Sequence, residues 1–372
     1  MFSNSKSSPK TKVVAALVAA ASLGAFLAGC GGGGGGGDST TTGPVAAVPS
    51  AAASGRPANI VDLELSTLVT SIPASTYPAG SELKAGFDKL NAERATCGFG
   101  LMAQNAALDQ AAASHASWVN ANNTVSHNET VGTKSFTGVF VLDRVKAAGY
   151  PAIEADSASE VGTVLHTSNS GGSASALAVS GNASVVRLLS APYHGNALLG
   201  PMRDVGLGIK ANFLDDLTTA MTGFWMNMAY LPSAGTQKLA GTTVATYPCE
   251  GIKDTGYKLT DESPSPVPGR NLTALPLGMP VYVRLRELHV LKITASFMTE
   301  SATGVSVKMR DPITSVNDPQ GPCALGCFAV NEGYVIPDAA LKPLTQYHVS
   351  ISGTNNGVAF TKVFDFTTGN TD

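Results

Sequence analysis

Four of the chain's six histidines, His115, His127, His166 and His194, fall between Ser114 and His194, a stretch that also carries Glu129 and Glu160. Imidazole titrates near neutral pH and is a common metal ligand. Two imidazoles and a carboxylate can hold a divalent metal with positions left open for water, or exchange protons with a bound substrate. A conserved chemical site, if the chain has one, is expected here. Several chemistries lack their motifs. No serine sits in a G-x-S-x-G elbow and there is no phosphate-binding loop. His127 is followed by Asn128-Glu129-Thr130 with no second histidine in the fourth place, which excludes an H-E-x-x-H zinc helix.

The elements that must position these residues can be read from periodicity and caps. Leu83, Phe87 and Leu90 follow helical spacing after Ser81, a good N-cap, and Gly98 and Gly100 end that helix. Asn105 caps a second helix, residues 106–121, whose apolar stripe is Leu108, Ala111, Ala112, His115 and Val119, with Trp118 beside it. His115 therefore reads first as a buried histidine hydrogen-bonded across the core. Residues 139–148 form a third helix closed by Gly149, and a segment from Ser157 to Val164 carries Glu160. Asn182 caps a fourth helix that Pro192 ends, leaving Tyr193 and His194 on its exit loop. Strands are expected over 205–211 and 222–231. Helices first and paired strands last suggest an α+β layered domain.

With 372 residues the chain can hold two ordinary domains. Charged residues make up 14% and the net charge is -3, which offers no field for nucleic acid. The first thirty residues read as a targeting segment. Lys6, Lys10 and Lys12 precede an apolar run from Val13 to Leu27, and Leu27-Ala28-Gly29-Cys30 resembles a bacterial lipobox. That resemblance implies lipidation of Cys30, attachment to a membrane through the lipid, and an outer-membrane or cell-surface location. Residues 31–80, rich in Gly, Ser, Thr, Ala and Pro, read as a flexible stalk. Besides Cys30 there are Cys97, Cys249, Cys323 and Cys327, an even number in an oxidising compartment. Of the three pairings, Cys97 with Cys249 and Cys323 with Cys327 keep each bridge within one expected domain.

A linker by composition spans 256–278 and contains Ser-Pro-Ser-Pro-Val-Pro-Gly. Beyond it, short alternating runs at 281–285, 290–297, 305–310, 334–336, 347–352 and 358–366 have the spacing of a β-sandwich. Asn356-Gly357 between two such runs is a strong hairpin signal.

Residues 81–255 resemble the CAP superfamily of cysteine-rich secretory, antigen 5 and pathogenesis-related proteins in its bacterial form. The resemblance is carried by Leu90-Asn91-Ala92-Glu93-Arg94, His115-Ala116, Ser126-His127, Asp143 to Tyr150, Ser190-Ala191-Pro192-Tyr193-His194 and Asp204 to Ile209. It implies a three-layer α-β-α sandwich with a cavity usually lined by two histidines and two glutamates. His127, Glu160 and His194 fall on three of those positions. The second glutamate has no match; Arg187 stands where an acid is expected, and Glu129 is the nearest substitute by type. Residues 279–372 resemble a bacterial Ig-like domain through Leu341 to Val349 and Phe364 to Gly369.

The resulting expectation is a lipid-anchored extracytoplasmic protein that binds a small, lipidic or cell-surface ligand and is not an enzyme. A divalent metal, zinc or calcium, held by His127 and His194 is implied by the resemblance, though the lost acid weakens it. A hydrolase or protease using the same residues, and a structural adhesin, are the alternatives.

Overall fold

The computed structural model describes residues 12–21, 64–151, 157–168, 179–213, 219–321 and 328–371. Cys30 and the Cys323–Cys327 pairing lie outside the described residues. The protein is mixed α and β, compatible with α+β.

The first sheet has the order β1-β3-β5-β4-β2, formed by β1 (Lys12–Ala21), β2 (Ala103–Gln104), β3 (Ala158–Ser168), β4 (Asp204–Phe213) and β5 (Thr219–Ala229). β1, β3, β5 and β4 run antiparallel in turn, and β2 joins β4 in parallel. Alternation along the strands separates two faces. Val161, Leu165, Val205, Leu207, Phe224 and Met226 pack with residues of α1 (Glu82–Cys97) and α4 (Gly181–Leu189). Val164, Met221 and Trp225 face α2 (Ala106–Asn122). Farther along that face, Ala158 and Ala229 meet α3 (Val141–Ala147). Gly206 and Gly208 on β4 explain how close α2 comes: a Cβ on either would lie 2.1 or 2.3 Å from its backbone.

The helix ends follow local chemistry. The Ser81 and Asn105 side chains accept from the first-turn N–H groups of α1 and α2, and Gly98 closes α1 at φ 75°. α4 begins one turn-edge earlier than Asn182 suggests, because Ser180 Oγ accepts from Ala183 N (3.2 Å). Pro192 does not introduce a loop. It starts a new helix, α5 (Pro192–Leu198), at a position where its missing N–H costs nothing, so His194 lies in a helical first turn.

Residues 64–80, expected as the end of the stalk, lie against the body. Thr67 N donates to Lys238 O (2.9 Å), Leu101 N donates to Val69 O (2.8 Å), and buried Tyr77 bonds Asp109. Polar composition hid this, because the contacts are largely made by backbone.

The remaining strands are β6 (Ala245–Tyr247), β7 (Val281–Arg284), β8 (Leu291–Glu300), β9 (Ile313–Thr314), β10 (Glu332–Val335), β11 (Gln346–Asn355) and β12 (Val358–Thr367). They form sheets β6-β7-β10-β9 and β12-β11-β8. Asn356 and Gly357 both have positive φ (49° and 83°) and join β11 to β12, as a primed two-residue hairpin turn requires. The run at 305–310 makes only isolated bridges, Thr299 with Ser306 and Met309 with Pro337. β6 precedes the compositional linker, β7 follows it, and they pair in register. One hydrophobic core runs from Phe87 and Leu189 through Leu259 and Leu277 to Tyr347 and Phe366. Cys97 and Cys249 are disulfide-bonded, as the sequence suggested.

Candidate functional site

Glu160 stands on β3, fully buried, and both of its oxygens are engaged. Oε1 accepts from Arg144 Nη2 (2.8 Å) and His127 Nδ1 (3.0 Å), with His115 Nε2 at 3.4 Å. Oε2 faces Asn227, whose amide nitrogen donates to it at 2.7 Å in the orientation that satisfies both ends of that amide. Burial alone would raise the Glu160 carboxyl. The Arg144 guanidinium, then His115 and His127, outweigh that and hold it at about 2. It is an ionised carboxylate that can only accept, so His127 carries its hydrogen on Nδ1.

Arg144, on α3, also donates from Nη1 to His127 O (2.9 Å), so it fixes both the backbone of the His127 loop and the carboxylate beneath the ring. His127 meets Trp225 edge to face, with ring centroids 5.5 Å apart. Burial, outweighing the attraction of Glu160, pushes the imidazole below its ordinary value and keeps Nε2 a lone-pair acceptor. That Nε2 is buried and has no hydrogen-bond partner.

His194 is also fully buried, and its Nε2 likewise has no partner. It lies within electrostatic range of His127. The acid beside it is Glu262, which the sequence reading missed. Glu262 Oε1 accepts from Tyr193 N (2.7 Å), His194 N (3.3 Å) and His194 Nδ1 (3.2 Å). Two of these donors are orphan N–H groups of the first turn of α5. Burial raises the Glu262 carboxyl, and the hydrogen bonds from His194 and the backbone offset that only in part. No spacing rule links residue 262 to residue 194. The one cue was an acid just before Ser-Pro-Ser-Pro, in a segment that composition assigns to solvent.

His115 and Glu129 adjoin this cluster but are engaged with each other. His115 is the buried core histidine expected of it: Nδ1 meets Glu129 Oε1 (2.9 Å) and Nε2 meets Ser126 O (3.0 Å). Glu129 therefore serves His115 and the Thr137 and Gly138 N–H groups (2.6 and 3.3 Å), and does not replace the lost cavity acid. His166 lies on β3 six residues beyond Glu160.

The site thus presents two buried imidazoles, each with Nδ1 held by a carboxylate and Nε2 unpartnered. A carboxylate behind Nδ1 fixes the tautomer and orientation of a ring whose other nitrogen meets a ligand. Metal ions commonly exploit this, but a zinc site needs at least three protein ligands and calcium takes six or more oxygens. Among the described residues no three His, Cys, Asp or Glu side chains are grouped to hold a metal ion. Neither Nε2 is bonded to a serine, threonine or cysteine, so neither imidazole is paired with a nucleophile.

No family model matches the chain, and no curated protein matches its sequence. No helix among the described residues is long and apolar enough to cross a membrane.

Proposed function

We propose that this chain is a CAP-like binding protein, tethered outside the cytoplasm by lipid on Cys30, that holds a small, lipidic or surface-derived ligand between His127 and His194 without turning it over; maturation at Cys30 removes β1 and leaves β3 at the edge of the first sheet. Helices on both faces of an antiparallel sheet support the CAP-like reading, and the two sheets that carry the strands after residue 279, one of them joined by β6, support an Ig-like partner module. The observation that carries the proposal is the pair of buried, unpartnered Nε2 atoms. A buried polar atom left without a partner costs about 1–3 kcal/mol, and a ligand offering hydrogen-bond donors removes that cost. Binding is favoured over hydrolysis because neither imidazole is coupled to a nucleophile.

The test is native mass spectrometry of the full chain extracted gently from membranes, beside its His127→Ala/His194→Ala variant. A co-purifying small molecule present on the wild type and absent from the variant is expected. Its absence from both overturns the proposal. Tight Zn²⁺ binding lost in the variant would replace it with a metal site, and turnover of peptide or ester lost in the variant would replace it with a hydrolase.

A further inference from the structure

β1 and β3 pair antiparallel over ten residues, from Lys12 with Ser168 to Ala21 with Ser159, with no break in register. With β1 in place, Ala158 to Leu165 are all buried. Maturation at Cys30 removes β1 and leaves the strand order β3-β5-β4-β2. The far edge of that sheet, β2, is two residues long, whereas the new edge, β3, is eleven. In an antiparallel ladder alternate residues turn their N–H and C=O toward each neighbour, so roughly five residues of β3 lose their ladder partners.

Sheets defend an exposed edge by keeping it short, by bending it with a bulge or a proline, or by placing lysine on it. β3 has none of these devices. Its sequence, Ala-Ser-Glu-Val-Gly-Thr-Val-Leu-His-Thr-Ser, carries no proline, lysine or arginine. It runs in unbroken register with β5 on its other side. Its one acid, Glu160, is turned to Arg144 and His127. The vacated edge is therefore competent to pair.

What the edge accepts can be read from the strand seated on it. After Lys12 that strand is Val-Val-Ala-Ala-Leu-Val-Ala-Ala-Ala, with no charge and no proline. Both alternating sets of residues along it are apolar, as suits a strand in a sheet covered by helices on both faces. α5, which carries His194, lies against both β1 and β3. The gap beside α5 holds one strand. A second copy, whose own sheet is layered by helices, would have to bring those helices against α5.

We propose that the vacated edge of β3 is a binding site for an extended peptide of another polypeptide, ten residues of small apolar side chains without proline, added as an antiparallel strand. Backbone hydrogen bonds to β3 supply the affinity, and the width of the gap beside α5 selects small side chains. The site rests on the maturation at Cys30 and is independent of the ligand held by the histidines.

The experiment uses the mature chain extracted from membranes, with its intact mass measured first. A mass that retains residues 1–29 would refute the maturation itself, which separates that failure from a failure of the edge. The probe is a synthetic peptide of residues 12–21, with its Leu17→Pro form as control, because a proline in mid-strand removes a ladder donor. Hydrogen exchange read by mass spectrometry follows residues 158–168. Fast exchange there in the free chain, slowed by saturating peptide, is expected, with the Leu17→Pro form binding about tenfold more weakly. The His127→Ala/His194→Ala variant should bind the peptide like the wild type. No peptide binding, equal binding of the Leu17→Pro form, or protection of residues 158–168 before peptide is added would overturn the proposal. In the last case, sedimentation as a dimer would identify a second copy as the cover, and sedimentation as a monomer would identify the stalk of the same chain. Loss of binding in the histidine variant would also overturn it, by moving the peptide to the first site.

Discussion

His194 Nδ1 and Glu262 Oε1 lie 3.2 Å apart across 68 residues of sequence, and the same oxygen takes the N–H groups of Tyr193 and His194. Glu262 is thus at once the cap of α5 and the carboxylate behind the second imidazole. Glu262→Ala leaves these donors buried without an acceptor and should cost about 2–3 kcal/mol. Glu262→Gln keeps an acceptor oxygen at that point and should cost about 1 kcal/mol or less. Urea denaturation of the two variants checks the order; equal losses would mean that the hydrogen bonds to Oε1 contribute nothing.

Acid should weaken the fold in two steps. Unfolded, the His127 imidazole takes up a proton below about 6.5, whereas in the fold burial holds it neutral to lower pH. The unfolded state then binds more protons, so stability falls as pH drops through that window. Glu160 follows below its unfolded value of about 4.3: its contribution is complete above that value and lost as pH falls toward about 2. That contribution is on the order of 3 kcal/mol. Glu262 opposes them, since its raised carboxyl costs stability as pH rises through the ordinary carboxylate range. The gap between the thermal midpoints of wild type and Glu160→Gln, followed from about pH 7 down to about pH 3, should shrink by about half. A constant gap would contradict this assignment of the Glu160 charge.

The Cys97–Cys249 bridge closes a loop of 152 residues. Chain entropy alone assigns such a closure about 5 kcal/mol, and removal of native bridges commonly costs about 2–5 kcal/mol. The Cys97→Ala/Cys249→Ala variant should show that loss in its denaturation midpoint. A cost under about 0.5 kcal/mol would mean that the unfolded chain is not loosened by losing the bridge.

Gly162 sits two residues beyond Glu160 on β3, where an added Cβ would lie 2.3 Å from the Trp225 ring. Trp225 in turn packs edge-on to His115 and His127, at 4.5 and 5.5 Å. Gly162→Ala should cost about 1–3 kcal/mol through overpacking and shift the His127 ring resonances in NMR spectra. Unmoved His127 resonances in a folded variant would show that Trp225 does not position the ring.

Much of this architecture is local enough to read from the chain. Ser81 and Asn105 cap the helices they appeared to cap, Asn356-Gly357 makes the turn, and His115 sits on the buried stripe its spacing predicted. His127 and Glu160, placed at one cavity by resemblance alone, do meet. What could not be read depends on packing between distant segments. Pro192 looks like a terminator because a proline ends one helix as readily as it begins the next. Arg144 carried no sign that it bridges His127 and Glu160. Glu262 was hidden by its neighbourhood, where Ser-Pro repeats signal exposure while Leu259, Leu272 and Leu277 around them are buried.

The distance along the chain between His194 and Glu262 also sets an order of assembly. Synthesis proceeds from the N-terminus, so His115, His127, Glu160 and His194 are all made before the acid that completes the pair. Cys249, the partner of Cys97, comes late as well. Until residue 262 has been added, α5 lacks its cap and the second imidazole lacks its carboxylate. Any fragment that stops at residue 255 preserves every residue of the CAP resemblance and yet freezes the protein at that unfinished stage, so a screen of such fragments would test a site that the full chain never presents.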